Sequence, residues 1–336
     1  MSEKKIKVMV VEDSAYMRYV ISEFLDSDPD IKVVEKARDG VDALEKIKRN
    51  RPDVITLDIQ MPRMDGLKLL EELRKSHMIP TIMVSSLTFE GAEDTIRALE
   101  LGAIDFVPKP SGVLAMTVEQ LRGEIISKVK IAATTKLKAL DQPPSPEPGT
   151  AEPKKHGTAH APLKTAPPVA RKRAPADKES LLDREEAEAP DKPALLKKVV
   201  AVGSSTGGPR ALTEIIPLLP ADIPACILIV QHMPARFTTS LAERLNAISE
   251  IQVKEASNGD KIQSGIVYIA PGDYHILVGK NDVIYLNQDP PQHGVRPCVN
   301  VLMKSVASVY GKRGIGVILT GMGTDGRDGA QAIKEH

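Results

Sequence analysis

The sequence predicts two α/β domains, each built on a mostly parallel sheet and joined by an extended tether. Three observations carry this reading. Short apolar runs alternate with amphipathic helical patterns over residues 7–138, the alternation stops for a proline-rich stretch, and it resumes from 197 to 336. At 336 residues the chain exceeds one ordinary domain, and a prior of roughly 150 residues per domain gives two. The expected organisation is residues 1–138, 139–195 and 196–336.

In the first domain the strand runs are KVMVVE, KVVEKA, VITLD, TIMVSS and IDFVPK, followed in turn by helical patterns over 14–25, 41–50, 67–75, 92–101 and 118–138. Apolar runs of this length, bounded by turn signals and separated by helices, mean a parallel sheet covered on both faces. The arrangement is a five-fold βα unit. Eleven of the 26 prolines fall between 141 and 193 among Ala, Lys, Glu and Thr, so that segment cannot offset its ordering entropy by burial and reads as a tether with PPII character. LLDREEAEA, near its end, has the composition of a transient helix.

The second domain opens with KKVVAVG and a helical pattern over 210–218, then ACILIV with a helix over 239–248, and IQVKEA. IVYIA, HILVG and VIYLN, with turns at GDY and KND, predict an antiparallel hairpin region attached to a parallel sheet. A helix over 300–310, the strand GIGVILT and a last helix opening at Asp328 complete a doubly wound pattern.

Composition narrows the function classes. Forty-five Lys and Arg balance 45 Asp and Glu, and there is no tryptophan, so neither a phosphate-tracking groove nor a stacking platform is indicated and nucleic acid is not an expected partner. No apolar run approaches the ~20 residues of a membrane span, and the charged start leads straight into a strand, so membrane insertion is not expected and the expected location is cytoplasmic. The two cysteines, Cys226 and Cys298, make neither a disulfide framework nor a CxxC metal site.

In a parallel sheet, ligands collect at the carboxyl ends of the strands. The first domain places Glu12, Asp13, Asp58, Ser85 and Lys109 there. Carboxylates crowded from two neighbouring strands make sense around a hard cation, and an oxygen-rich set suits Mg²⁺. Asp58 is the best phosphoryl acceptor. Lys109 would then pair with the added phosphate and Ser85 would hydrogen-bond to it, contacts that exist only after modification and so make a switch.

In the second domain three strand ends carry chemistry: VVAVG runs into Ser204, Ser205 and Thr206, ILIV runs into Gln231 and His232, and GVILT runs into a glycine-rich loop ending at Asp325 and Gly326. A hydroxyl on a tight strand-to-helix turn, an imidazole and a carboxylate are the parts of an acyl-transfer site, in which the base activates the hydroxyl and the carboxylate fixes the base. Either Ser204 or Ser205 fits the turn. Of seven histidines, His232 has the rigid placement of a base, and Asp325 can approach it only if their strands are close neighbours. Backbone N–H groups near Thr206 and at Met322 are candidate oxyanion donors. Duller readings remain open here: a phosphate cradle at the glycines, a strand-end histidine, and Asp325 as cap of the final helix. They correspond to a nucleotide-binding output domain or a non-enzymatic scaffold.

Residues 5–125 resemble a response-regulator receiver domain, a flavodoxin-like (βα)5 fold, on Glu12, Asp13, Asp58, Ser85 and Lys109. The resemblance implies Mg²⁺ on the acidic residues, phosphorylation of Asp58 and a switch aromatic at Phe106. Residues 197–336 resemble the catalytic domain of the chemotaxis protein-glutamate methylesterase/protein-glutamine deamidase (CheB) family, on G-S-S-T-G-G (203–208), Q-H-M-P (231–234) and T-G-M-G-x-D-G (320–326). This implies Ser205 as nucleophile, His232 as base, Asp325 as its orienter, and Met322 N–H as oxyanion donor, with no cofactor for the esterase. It also implies chemoreceptor cytoplasmic domains as substrate, a chemotaxis histidine kinase as phosphodonor, and inhibition by the unphosphorylated receiver. Where the family usually reads R-P-S-x-D, this chain has Arg296, Pro297, Cys298, Val299 and Asn300, a difference expected to leave the triad untouched. The family also continues through a closing segment past the point corresponding to His336, so the expectation is that either the sequence is truncated or that part of the active-site wall is missing.

Overall fold

Strand and helix alternate through the first half in the predicted order: β1 (Ile6–Val11), α1 (Ala15–Asp26), β2 (Ile31–Ala37), α2 (Gly40–Arg49), β3 (Val54–Asp58), α3 (Gly66–Ser76), β4 (Thr81–Ser85), α4 (Phe89–Glu100), β5 (Asp105–Pro108) and α5 (Val118–Thr134). The structure is a computed structural model and describes residues 5–76, 78–86, 88–109, 118–135 and 196–336. The tether over 139–195, the LLDREEAEA segment and the end of the 118–138 helix past 135 lie outside the described residues.

The five strands pair in parallel in the order β2-β1-β3-β4-β5. Every residue of β3 and β4 is buried, as helices on both faces of a parallel sheet require. Polar side chains start the helices locally. Ser14 accepts from Met17 N–H at the head of α1, Asp39 from Val41 and Asp42 at α2, and Thr88 from Gly91 at α4.

The second half holds β6 (Lys198–Ser204), α6 (Gly208–Ile215), β7 (Ala225–Gln231), α7 (Phe237–Ile248), β8 (Gln252–Glu255), β9 (Ile266–Ile269), β10 (His275–Gly279), β11 (Val283–Asn287), α8 (Val299–Tyr310), β12 (Gly314–Ile318) and α9 (Arg327–Glu335). Its main sheet is parallel, in the order β12-β6-β7-β9-β8. The expected three-stranded hairpin region is corrected to two strands. Only β10 and β11 pair antiparallel, as a separate sheet, while β9 lines up beside β7, because Val267, Tyr268 and Ile269 are all buried and need cover on both faces. The expected helix over 210–218 begins at Gly208 and closes as a 3₁₀ turn over Ile216–Leu218, where Pro217 supplies no N–H to continue the α ladder.

One core, with Leu212, Ile216, Leu241 and Leu245 from α6 and α7, lies against one side of the second sheet and is continuous with receiver residues that include Ile96, Leu99 and Phe106. On the other side, α8 and the hairpin bury Leu302, Met303, Val306, Ile276 and Ile284. Phe106 and Phe237 join the two halves: their rings stack with centroids 4.4 Å apart and planes at 14°.

Candidate active site

The parallel register brings the ends of β12, β6 and β7 to one edge of the sheet, with β6 in the middle. β7 and β12 are therefore close neighbours with one strand between them. The loop after β12 crosses the end of β6, where Ser205 N–H donates to Thr320 O at 2.9 Å, and so delivers Asp325 to His232.

The two serines differ in their surroundings. Ser204 is buried and its hydroxyl donates to Gln231 Oε1 at 2.7 Å, whereas Ser205 lines a cavity of about 920 Å³ together with Thr206, His232, Met322 and Asp325. Gln231 also donates its Nε2–H to Ser205 O at 2.9 Å, and His232 N–H donates to Ser204 O at 3.1 Å, so the strand ends are tied before any substrate arrives. Glycine is required in this turn. A Cβ on Gly208 would fall 2.0 Å from Gln231 Oε1, and one on Gly321 would fall 2.7 Å from Ser205 Cβ.

His232 Nε2 lies 2.9 Å from Asp325 Oδ2. The carboxylate also accepts from Val299 N–H at 2.7 Å, Asn300 N–H at 2.9 Å and Cys298 Sγ at 3.0 Å. Burial by itself would raise the Asp325 pKa, but His232, Cys298 and the two backbone donors outweigh it and hold the carboxyl below its ordinary range. An ionised carboxylate can only accept, so at this contact the His232 proton sits on Nε2 and Nδ1 is the ring nitrogen left for another partner. Among the described residues no hydrogen bond joins that ring to the Ser205 hydroxyl; catalytic hydrogen bonds are commonly loose before substrate binds. The N–H groups of Thr206 and Met322 have no acceptor among the described residues, and both residues face the cavity.

Asp325 does not cap the final helix, the dull alternative for it. It caps α8 from outside, taking the N–H groups of Val299 and Asn300 at a terminus where Cys298 makes no side-chain cap. Asn300 returns the service: its Oδ1 accepts from Gly326 and Gly329 N–H at the head of α9.

In the receiver half, carboxylate oxygens of Glu12, Asp13 and Asp58 lie within 4.8 Å of one another. Lys109 Nζ sits 2.8 Å from Asp58 Oδ2 and 3.0 Å from Glu12 Oε2. Burial raises the Glu12 and Asp58 pKa values, with Asp58 adding repulsion at Glu12; at Lys109 the two carboxylates overcome burial and raise it as well. Glu12 Oε2 is buried and lacks a hydrogen bond of proper geometry. Crowded, desolvated oxygens with such a spare acceptor fit a hard divalent cation. The Ser14 hydroxyl, and neither acidic side chain, accepts from Met17 N–H to cap α1. Ser85 is turned away from Asp58: its hydroxyl donates to Gly91 O at 3.1 Å and accepts from Thr95 at 2.7 Å.

A response regulator receiver domain family model matches residues 8–119 and a CheB methylesterase model matches residues 200–336. A protein-glutamate methylesterase/protein-glutamine glutaminase of Pyrococcus abyssi is 43% identical over 337 residues, covering 99% of this chain and 82% of that relative. One from Symbiobacterium thermophilum is 46% identical over 333 residues, covering 99% and 85%. The chain belongs to the protein-glutamate methylesterase/protein-glutamine glutaminase family. The crystal structure of the Thermotoga maritima CheB methylesterase catalytic domain is 48% identical, covers 41% of this chain and 75% of that one, and aligns with a TM-score of 0.40.

The departure at 296–300, where a different cap or packing contact was expected, lies against the Asp325–His232 pair. Cys298 touches Asp325 directly, because the start of α8 is where that carboxylate is held. Sequence reasoning also missed Gln231 as the clamp of the serine turn, although it stands inside the Q-H-M-P motif, and Thr320, whose hydroxyl donates to Thr206 O at 3.0 Å. Phe237 gave no signal, since its partner Phe106 lies 131 positions away and ring stacking has no sequence period.

Proposed function

We propose that this chain is a phosphorylation-controlled serine esterase that hydrolyses glutamate γ-methyl esters, and deamidates glutamines, on the cytoplasmic domains of chemoreceptors. The observation that carries it is the ionised Asp325 on His232 Nε2, with Ser205 lining the same cavity. His232 Nδ1 takes the Ser205 proton as Oγ adds to the ester carbonyl, and the oxyanion is received by the N–H groups of Met322 and Thr206. Protonated His232 returns the proton to the methoxy oxygen, methanol leaves, and water repeats the sequence to release the glutamate carboxylate and Ser205. With a glutamine substrate the leaving group is ammonia. Ser205→Ala should lower methanol release by ~10⁴ or more, while Ser204→Ala should retain turnover; near-normal release from Ser205→Ala would overturn the assignment.

Asp58 is the phosphoryl acceptor in this reading, with a chemotaxis histidine kinase as donor. A Mg²⁺ ion held by Glu12, Asp13 and Asp58 would neutralise charge around the incoming phosphoryl group. Lys109 is placed to hold that group and Ser85 to turn toward it, leaving Gly91 and Thr95. In the unphosphorylated state the receiver restricts the esterase, a reading supported by Lys109, Gln120, Glu124 and Lys128 lining the same cavity as Ser205 and by Ser127 Oγ lying 3.0 Å from Met322 Sδ. Arg244 and Glu100 add an ion pair across the same junction.

A further inference from the structure

The Asp325 carboxylate has two donors on each oxygen. Oδ2 takes His232 Nε2–H and Val299 N–H; Oδ1 takes Asn300 N–H and the Cys298 thiol. Val299 and Asn300 donate from the backbone that opens α8, His232 donates from its ring, and Cys298, the residue before α8, contributes its side chain. That side chain is fully buried. Burial and the neighbouring carboxylate push the thiol pKa up to about 12, which keeps the S–H a neutral donor across the working pH range.

Resting on the esterase reading above, we propose that Cys298 is a positioning residue for catalysis: its S–H holds Oδ1 so that Oδ2 stays aimed at His232 Nε2. Without the thiol, Oδ1 keeps only Asn300 N–H while Oδ2 keeps Val299 N–H and His232, and the less evenly held carboxylate can turn about its Cβ–Cγ bond. Such a swivel lengthens the His232 contact and misaims Nδ1 at Ser205. A thiol is a weak donor, so the effect is one of alignment and modest in size. It is separate from packing, because alanine and valine at this position remove the donor alike but differ in volume.

The test uses the full chain with Cys298→Ala, Cys298→Val and Cys298→Ser, read in two ways. The first is the downfield proton resonance of His232 Nε2–H, assigned with His232→Gln, which needs no substrate. The second is kcat and KM for methanol release from methylated receptor membranes. Loss of one neutral hydrogen bond predicts a ~2–10-fold fall in kcat for both Ala and Val, with KM unchanged and the resonance moved upfield and broadened. Ser should restore both readings. Wild-type resonance and kcat in Ala and Val would overturn the proposal, and so would a Val variant that behaves as wild type while Ala does not, since volume would then be the cause. Turnover absent from the unsubstituted chain would overturn the esterase reading instead, and the resonance would still decide whether the thiol aims the carboxylate.

Discussion

Replacing Asp325 with asparagine should strike chemistry and stability together, because one carboxylate serves both. On the catalytic side, an asparagine amide can present N–H toward His232 Nε2 and so favour the wrong tautomer, and loss of an orienting carboxylate lowers kcat by ~10⁴. On the structural side, the carboxylate caps α8 through Val299 N–H at 2.7 Å and Asn300 N–H at 2.9 Å. An amide has one acceptor oxygen for these donors. A lost cap costs about 1 kcal/mol and a buried donor left unpaired costs about 1–3 kcal/mol, so the variant should be less stable by roughly 2–4 kcal/mol. The pH dependence has a fixed sign. Asp325 is held below its ordinary pKa in the folded chain, so its stabilising effect is complete above the unfolded value of ~3.9 and is lost as pH falls through the folded value. Urea denaturation from pH 8 down to pH 3, beside methanol release at neutral pH, measures both effects. A variant with wild-type turnover, or a stability gap that widens in acid, would refute the reasoning.

Three further outcomes follow from the same geometry. Mg²⁺ should raise the melting temperature by relieving the crowded Glu12 and Asp58, and Asp58→Asn should weaken that response and abolish phosphorylation by a small-molecule phosphodonor in an intact-mass assay; a Mg²⁺ response unchanged in the variant would count against the cluster as its site. Gly208→Ala places a Cβ against Gln231 Oε1 and should lower kcat at least ~10-fold by displacing the serine turn, with wild-type kinetics as the contrary result. Removing residues 1–138 should raise basal methanol release, a factor of ten requiring only ~1.4 kcal/mol of differential stabilisation; a catalytic domain no faster than the intact unphosphorylated chain would contradict restriction by the receiver.

Both parallel sheets were legible because fully buried strands such as VITLD and ACILIV are continuous apolar runs, and the helices between them carry a clear period. The placement of the candidate groups was legible where an apolar run ends in them: Asp58 closes β3, Ser205 follows β6 and His232 follows β7. What could not be read was spatial. The sequence does not say that β6 lies between β7 and β12, so the approach of Asp325 to His232 could be stated only as a condition on their strands. Nor does it show that Cys298 meets Asp325, because the contact is made by a residue at a helix start, 27 positions away, whose partner acts as that helix's cap. Asn300 is similar, a residue ordinary in sequence that caps α9 from the end of another helix. Side-chain capping across elements leaves no periodic trace. The choice between Ser204 and Ser205 likewise came down to which hydroxyl Gln231 occupies.

Labelling with an organophosphonate, followed by intact mass and peptide mapping, tests most directly whether these groups form a single activated nucleophile. One adduct should appear on Ser205 in the unsubstituted chain, persist in Ser204→Ala, and vanish in Ser205→Ala and in His232→Gln. An adduct on Ser204, or labelling of Ser205 that survives loss of the imidazole, would contradict the account.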